Sequence, residues 1–284
     1  MKAPTERTLR RLWLGMQTLS GIAERGIFIP YRHADTIRSI DYPAFANLFN
    51  LHGNAMEGIL HAIEGHAEDF SRFGGDAPAP RFEQDWFPRL DLAAAYAVIR
   101  RYRPDRIVEI GSGHSTRAMV RAIADGNLDC ELICIDPAPR AVIEALPVTH
   151  HRALLSEAPR EIFSDLGEGQ VLFIDSSHVA VPGSDVDILF NTILPALGAG
   201  CLIHVHDIFL PWAYPEKWTW RGYNEQLLLA ALLQSGAYEP LFASQFVSRN
   251  PRLMALAPVL GRLPFPQGAF EASFWMRKCA DSVM

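Results

Sequence analysis

The sequence is poor in cysteine and in net charge, and it has no long apolar run. Its four cysteines, Cys130, Cys134, Cys201 and Cys279, lack zinc-ribbon spacing. Two lie inside apolar strand-like runs, where a thiol behaves as a small hydrophobe, so a reducing, cytoplasmic setting is expected. No stretch reaches the roughly 20 apolar residues of a membrane span. The N-terminal "LWLGMQTLSGIA" is broken by polar residues and has no small-residue cleavage site. A net charge of −6 leaves no electrostatic footprint for nucleic acid, and Arg7, Arg10 and Arg11 form too short a basic patch to change that. What is present is a 284-residue chain, 49% hydrophobic and 20% charged, able to bury one large core with or without an appendage.

From residue 106 onward short β-rich runs alternate with helical patterns, the signature of parallel strands joined by crossover helices. The strands are "RIVEI" (106–110), "ELICID" (131–136), "VLFID" (171–175) and "CLIHVH" (201–206). All four are nearly continuous in apolar residues, as strands covered on both faces should be. Helical patterns fall at 116–124 and 186–197, with a weaker one at 160–166. "NEQLLLAALLQSG" adds another, with Asn224 as N-cap and Gly236 as stop. In the tail, residues 240–247 and 273–278 read as strands at one sheet edge. Upstream, "DLAAAYAVIRRYRP" reads as a helix capped by Asp91 and closed before Pro104. Residues 1–90 carry amphipathic helix fragments and no βαβ pattern, which suggests a helical cap or lid on a domain at 91–284.

The chemistry is concentrated at the strand ends. In "RIVEIGSGHST" a strand turns through Gly111, Ser112 and Gly113 into a helix, where the backbone can approach a ligand and free N–H groups point outward. The next strand ends at Asp136, placed to accept hydrogen bonds from a ribose diol, although an Asp before Pro137 would equally serve as a cap. A dinucleotide site would carry a third glycine where Thr116 stands, and a carboxylate at Glu109 would repel phosphates but favour a cationic ligand. His204 and His206, two apart, share one strand face while Asp207 points to the other. Asp207 is the functional candidate of that stretch. His206 is a second choice as a substrate or metal ligand, and His204, deeper in the strand, reads as a buried histidine.

"VEIGSGHST", "LICIDP", "VLFIDSSH" and "LPALGAGCLIHVHDI", in that order, resemble the class I S-adenosylmethionine-dependent methyltransferases, in particular the small-molecule O-methyltransferase-like branch. The resemblance spans residues 91–284. It implies an α/β, Rossmann-like, doubly wound and mostly parallel seven-stranded sheet. It also implies S-adenosyl-L-methionine held by Glu109, Gly111, Ser112, Gly113, Ser115, Asp136 and Asp175, and a small-molecule acceptor methylated at a hydroxyl. Catechol-type relatives take Mg²⁺ ligands from the strand ends that here carry Asp175 and Asp207, and a Lys general base from the position of His178. Ile208 replaces the Asn that completes their metal site. An imidazole of ordinary pKa is suited to remove a hydroxyl proton at neutral pH, which makes His178 the expected base beside Asp175 and Asp207. The competing readings are an NAD-dependent oxidoreductase and a non-catalytic cofactor-binding protein of the same fold. The aromatic-rich "FLPWAYPEKWTWRGY" would either wall a substrate pocket or pack onto the N-terminal helices. Nothing in the sequence speaks against a homo-oligomer.

Overall fold

The computed structural model describes residues 6–281. The chain divides into two compact units, Met1–Ser39 and Ile40–Met284. The first contains α1 (Glu6–Leu19) and an irregular continuation. The second opens with α2 (Ala44–Leu51), α3 (Gly53–Gly65) and α4 (Ala67–Phe70), which therefore share a unit with the sheet.

Within this second unit, α5 (Arg89–Tyr102) is buried from Leu90 to Ile99. The small side chains Ala93, Ala94, Ala95 and Ala97 let α3 pack against α5 on one side and α6 (His114–Asp125) on another. The helix ends because Arg103 adopts a left-handed conformation (φ 52°), with its N–H donating to Ile99 O, and Pro104 cannot continue a ladder. Asp91 does not cap α5. It lies inside the first turn, and its carboxylate accepts from the N–H groups of Ala272 and Ser273 instead.

The seven-stranded sheet is built from β1 (Arg106–Ile110), β2 (Glu131–Ile135), β3 (Thr149–His151), β4 (Val171–Ile174), β5 (Leu202–Val205), β6 (Tyr238–Ala243) and β7 (Phe274–Lys278). Their order is β3-β2-β1-β4-β5-β7-β6, with β7 antiparallel to both β5 and β6. After β4 comes a continuous helical passage, α7 (Asp185–Ile188), a wider turn at Leu189–Ile193, and α8 (Leu194–Ala196). It is followed after β5 by α9 (Glu225–Leu233) and after β6 by α10 (Ser244–Ser248) and α11 (Pro251–Met254). The four apolar runs form β1, β2, β4 and β5, and the seven strands are those the resemblance implied, β3 being the one no run marked. Three details differ. The expected strand at 240–247 stops at Ala243 and turns into α10, because its partner β7 begins only at Phe274, and Ser244 N–H donates to Ser273 O at the end of the ladder. Residues 160–166 reduce to a 3₁₀ turn, Arg160–Phe163. Asn224 makes no side-chain cap. Its Oδ1 accepts from Ala180 N–H, tying α9 to the loop after β4.

The register places the strand ends at one level. Ile110 pairs with both Ile135 and Ile174, and Ile174 with Val205. The next residues continue the ladder: Gly111 N–H donates to Ile135 O at 3.0 Å, Asp175 N–H to Ile110 O at 2.8 Å, and His206 N–H to Ile174 O at 2.9 Å. Gly111, Asp136, Asp175 and His206 are thus delivered to the same carboxyl edge, at the switch point where the chain winds one way from β1 to β2 and the other to β4. Gly111 has no alternative residue. Its φ is +80°, and a Cβ there would stand 1.9 Å from the backbone O of Asp175. Gly111→Ala should destabilise the fold by about 2–4 kcal/mol through this clash and the left-handed strain. Urea unfolding would check it, and a wild-type midpoint would contradict the stated packing.

Candidate active site

The turn after β1 is fixed from beneath. Glu109 is fully buried, and its carboxylate is bonded by Ser115 Oγ (2.6 Å), Thr116 Oγ1 (2.6 Å) and Cys134 Sγ (3.3 Å). Thr116 Oγ1 in turn accepts from Gly113 N–H at 2.9 Å. The threonine that stands where a dinucleotide fold has glycine therefore couples the helix start to a strand carboxylate. Burial pushes Glu109 up to about 7, against the lowering effect of its three hydrogen-bond donors. Glu109 and Ser115, expected around the cofactor, face away from the cavity and clamp the turn, and Gly113 does not line the cavity either. The period-2 alternation of the strand explains this: Ile110 reaches the cavity, so Glu109 points to the opposite face.

The cavity has a volume of about 550 Å³ and opens at the carboxyl ends of β1, β2 and β4. Gly111, Ser112, Asp136 and Asp175 line it, as the sequence suggested, with Arg140, Ser156, Ser176 and Asp185 as further polar walls. Asp136 accepts from Ser112 N–H and Ala138 N–H, each at 2.7 Å, and so ties the first turn to the second while a carboxylate's remaining lone pairs stay free. The hydroxyls of Ser112 and Ser176 are buried and have no partner in the protein.

Beside the cavity, β4 and β5 end in a cluster of two imidazoles among four carboxylates. His178 Nε2 lies 3.2 Å from Asp175 Oδ1 and 3.5 Å from Asp207 Oδ2, and its Nδ1 lies 2.9 Å from Glu225 Oε2. His206 Nδ1 lies 3.4 Å from Asp175 Oδ1 and 3.6 Å from Asp207 Oδ1, while its Nε2 faces Asp91 Oδ2 at 3.4 Å. Alternation would send Asp207 to the far face. A left-handed turn at Asp207 (φ 56°), just past the strand, brings its carboxylate back to His206. Burial lowers the pKa of both rings, but the carboxylates outweigh it: Asp175 and Glu225 with Asp207 for His178, Asp175 and Asp207 with Asp91 for His206. Both are held well above the ordinary value, as imidazolium ions. Asp175 is held well below its usual range, because His206 and His178 outweigh its own burial. Burial raises Glu225 despite His178, and its Oε1 is buried without a partner.

His204 stacks on Phe173 with ring centroids 3.7 Å apart, and its Nε2 meets Ser273 Oγ at 2.9 Å. Burial and the neighbouring His206 keep it neutral. It is a packing residue, as its depth suggested. The aromatic loop packs on itself, Phe209 against Tyr214, Trp218 and Phe270, and Tyr223 covers the His178 ring at 4.6 Å. It also meets the segment that leads into α2, through Tyr42 N–H to Pro211 O. No residue of the loop lines the cavity.

The expected Mg²⁺ pair, Asp175 and Asp207, comes together, but around imidazole nitrogens. Among the described residues no group of three or more His, Cys, Asp or Glu is placed to hold a metal ion. Both imidazole rings stand between the carboxylates, and Ile208 offers no oxygen where a further ligand would stand. A hard cation that requires about six oxygens does not fit this set. Sequence reading gave Asp91 only a capping role and Glu225, next to the supposed cap Asn224, none; the signal available for both was a carboxylate at the apolar start of a helix.

Residues 108–208, from β1 to just past β5, match a family model described as "Methyltransferase domain". No curated protein sequence matches the chain. Solved structures similar to it include the S-adenosylhomocysteine-bound methyltransferase PaMTH1 of Podospora anserina (17% identity, 89% of this chain and 99% of that one, TM-score 0.41). The plantazolicin methyltransferase BpumL with S-adenosylhomocysteine is another (13%, 81% and 99%, 0.44), as is CmcI with Mg and S-adenosylmethionine (15%, 75% and 84%, 0.42).

The charge cluster links stability to pH. Groups with raised pKa contribute fully below about 6.5, their unfolded value. That contribution is lost as pH rises through the higher folded values. The melting temperature of the wild type should therefore fall on the alkaline side, and His206→Gln should be less stable at pH 6 with a flatter profile. Parallel profiles of the two proteins would refute the assignment of charge to His206.

Proposed function

We propose that this chain, whose residues 108–208 match a methyltransferase-domain family model, is an S-adenosylmethionine-dependent methyltransferase that methylates a hydroxyl of a small molecule. The observation that carries the reading is the imidazole–carboxylate cluster at the edge of the cavity, a proton-accepting device next to a ligand site. The cavity fits the cofactor in size, since small-molecule sites run to about 300–1,000 Å³. It fits in chemistry as well, with Asp136 on its wall and lone pairs of that carboxylate free. Gly111, Ser112 and Asp136 would hold the cofactor, which when bound supplies an electrophilic methyl group.

The chain's own task is then to orient the acceptor and remove its proton. His178 does not line the cavity and is 3% exposed, whereas the Asp175 side chain lines it and is 32% exposed. Asp175 is accordingly the residue that meets the acceptor hydroxyl. Its Oδ1 is taken by both imidazoles, which leaves Oδ2 to accept the hydroxyl hydrogen bond. His178 stands behind it. Glu225 retains the Nδ1 proton, so Nε2 is the atom that gains or loses one, and the proton leaving the acceptor passes through the Asp175 carboxylate to Nε2. Asp207 faces the same Nε2 and orients the ring. The ordinary pKa expected for His178 is corrected upward, with a mechanistic consequence: the basic form becomes populated only as pH rises above about 6.5.

The donor side is tested by calorimetry with S-adenosylhomocysteine and NAD. Binding of the first and not the second is expected, and Asp136→Ala should weaken it by about 1.5–3 kcal/mol, as for hydrogen bonds to a charged group. Unchanged affinity in a folded variant would remove Asp136 from the cofactor site.

On the acceptor side, His178→Ala should lower kcat by about 10²–10⁴ and leave S-adenosylhomocysteine affinity nearly unchanged. The wild-type kcat should climb with pH, with an inflection above about 6.5, and Glu225→Gln should move that inflection to lower pH by removing an anion that favours the imidazolium. Near-normal turnover in His178→Ala would leave Asp175 as the base on its own.

A further inference from the structure

The unit Met1–Ser39 is built inside out. On α1, Leu9, Leu12, Trp13 and Met16 recur at the spacing of one helix face, and each is more than half exposed. The partly covered positions are Leu14, Gly15, Gln17 and Thr18. Residues 20–25 fold back on that more polar side: Ile22 and Ala23 N–H donate to Gln17 O, and Arg25 N–H donates to Thr18 Oγ1. The chain then runs through "IFI" at 27–29 with those side chains 60–71% exposed. Eleven of the nineteen exposed large apolar side chains among the described residues fall in this short unit. Together they present on the order of 1,000 Å² of apolar surface, more than the roughly 800 Å² that each partner gives to a standard interface. Monomeric proteins rarely leave more than a few hundred Å² in one patch.

Charge selects the occupant. Residues 1–39 carry seven Lys or Arg and three Asp or Glu, net +4, so the overall −6 leaves −10 on residues 40–284. Two such units facing each other would repel. An anionic membrane would attract this unit and repel the rest. A second copy of the chain offers a −10 body to a +4 arm and receives the same in return, an exchange that a twofold axis closes. We propose that residues 6–39 form an arm that docks on the acidic unit of a second copy of this chain, burying the stripe of Leu9, Leu12, Trp13 and Met16.

Analytical ultracentrifugation of the full chain tests this, with the melting profile as the check on folding. The wild type should sediment as a dimer, and the combined Leu12→Glu, Trp13→Glu and Met16→Glu variant as a monomer that melts like the wild type. Arg10→Glu with Arg11→Glu leaves the stripe intact and reverses charge on exposed positions, so it decides the matter even if the apolar variant misfolds. Its dimer dissociation constant should rise about tenfold or more. A monomeric wild type, a dimer undisturbed by both variants, or a monomer that cosediments with phosphatidylglycerol vesicles would each overturn the proposal.

Discussion

Two imidazolium rings buried among Asp91, Asp175, Asp207 and Glu225 hold the working end of this molecule together. Each ring is flanked by carboxylates at both nitrogens, and those carboxylates come from α5, from the ends of β4 and β5, and from the first turn of α9. Removing such charges from water is costly, and the cost is offset by the carboxylates that face each ring at both of its nitrogens. The cost also confers definition. A loop, two strand ends and two helix starts share the relative placement that brings all six groups together, and the cavity wall at Asp175 inherits that placement.

The same arrangement sets opposing demands on His178. Surrounding an imidazole with carboxylates makes it a stronger base once it has lost its proton and keeps it protonated longer. Glu225 holds one nitrogen, and Tyr223 covers the ring face. Protection from water and strength as a base are gained together, and the fraction of molecules ready to accept a proton at neutral pH is reduced in return. Nothing comparable occurs at Glu109. There three donors stabilise a buried carboxylate that holds a turn.

Much of this was legible in the chain. β1, β2, β4 and β5 were readable because strands covered on both faces must be continuously apolar, and Gly111, Ser112, Asp136 and Asp175 were readable because they follow those runs directly. What could not be read depends on which direction a side chain points after the strand stops. Asp207 was assigned by alternation to the wrong face, since a left-handed residue ends the alternation. Glu109 and Ser115 were read from the resemblance as cofactor residues, and nothing in the sequence signalled that they bond each other beneath the turn. Asp91 and Glu225 looked like ordinary helix-start carboxylates, and only tertiary packing gives them histidines at long sequence separation. β3 is three residues, "THH", at an edge, too short and polar to carry a pattern.

The cluster has a further consequence through Asp91, which bonds His206 and also the N–H groups of Ala272 and Ser273. Its six charged members span residues 91 to 225, but the carboxylate that fixes the second ring is itself fixed by the approach to β7, the last strand to be made. On the ribosome the members from residues 91 to 225 emerge first, but a domain folds as a unit. Full charge pairing at this edge therefore waits for residue 273, after every charged member has been made.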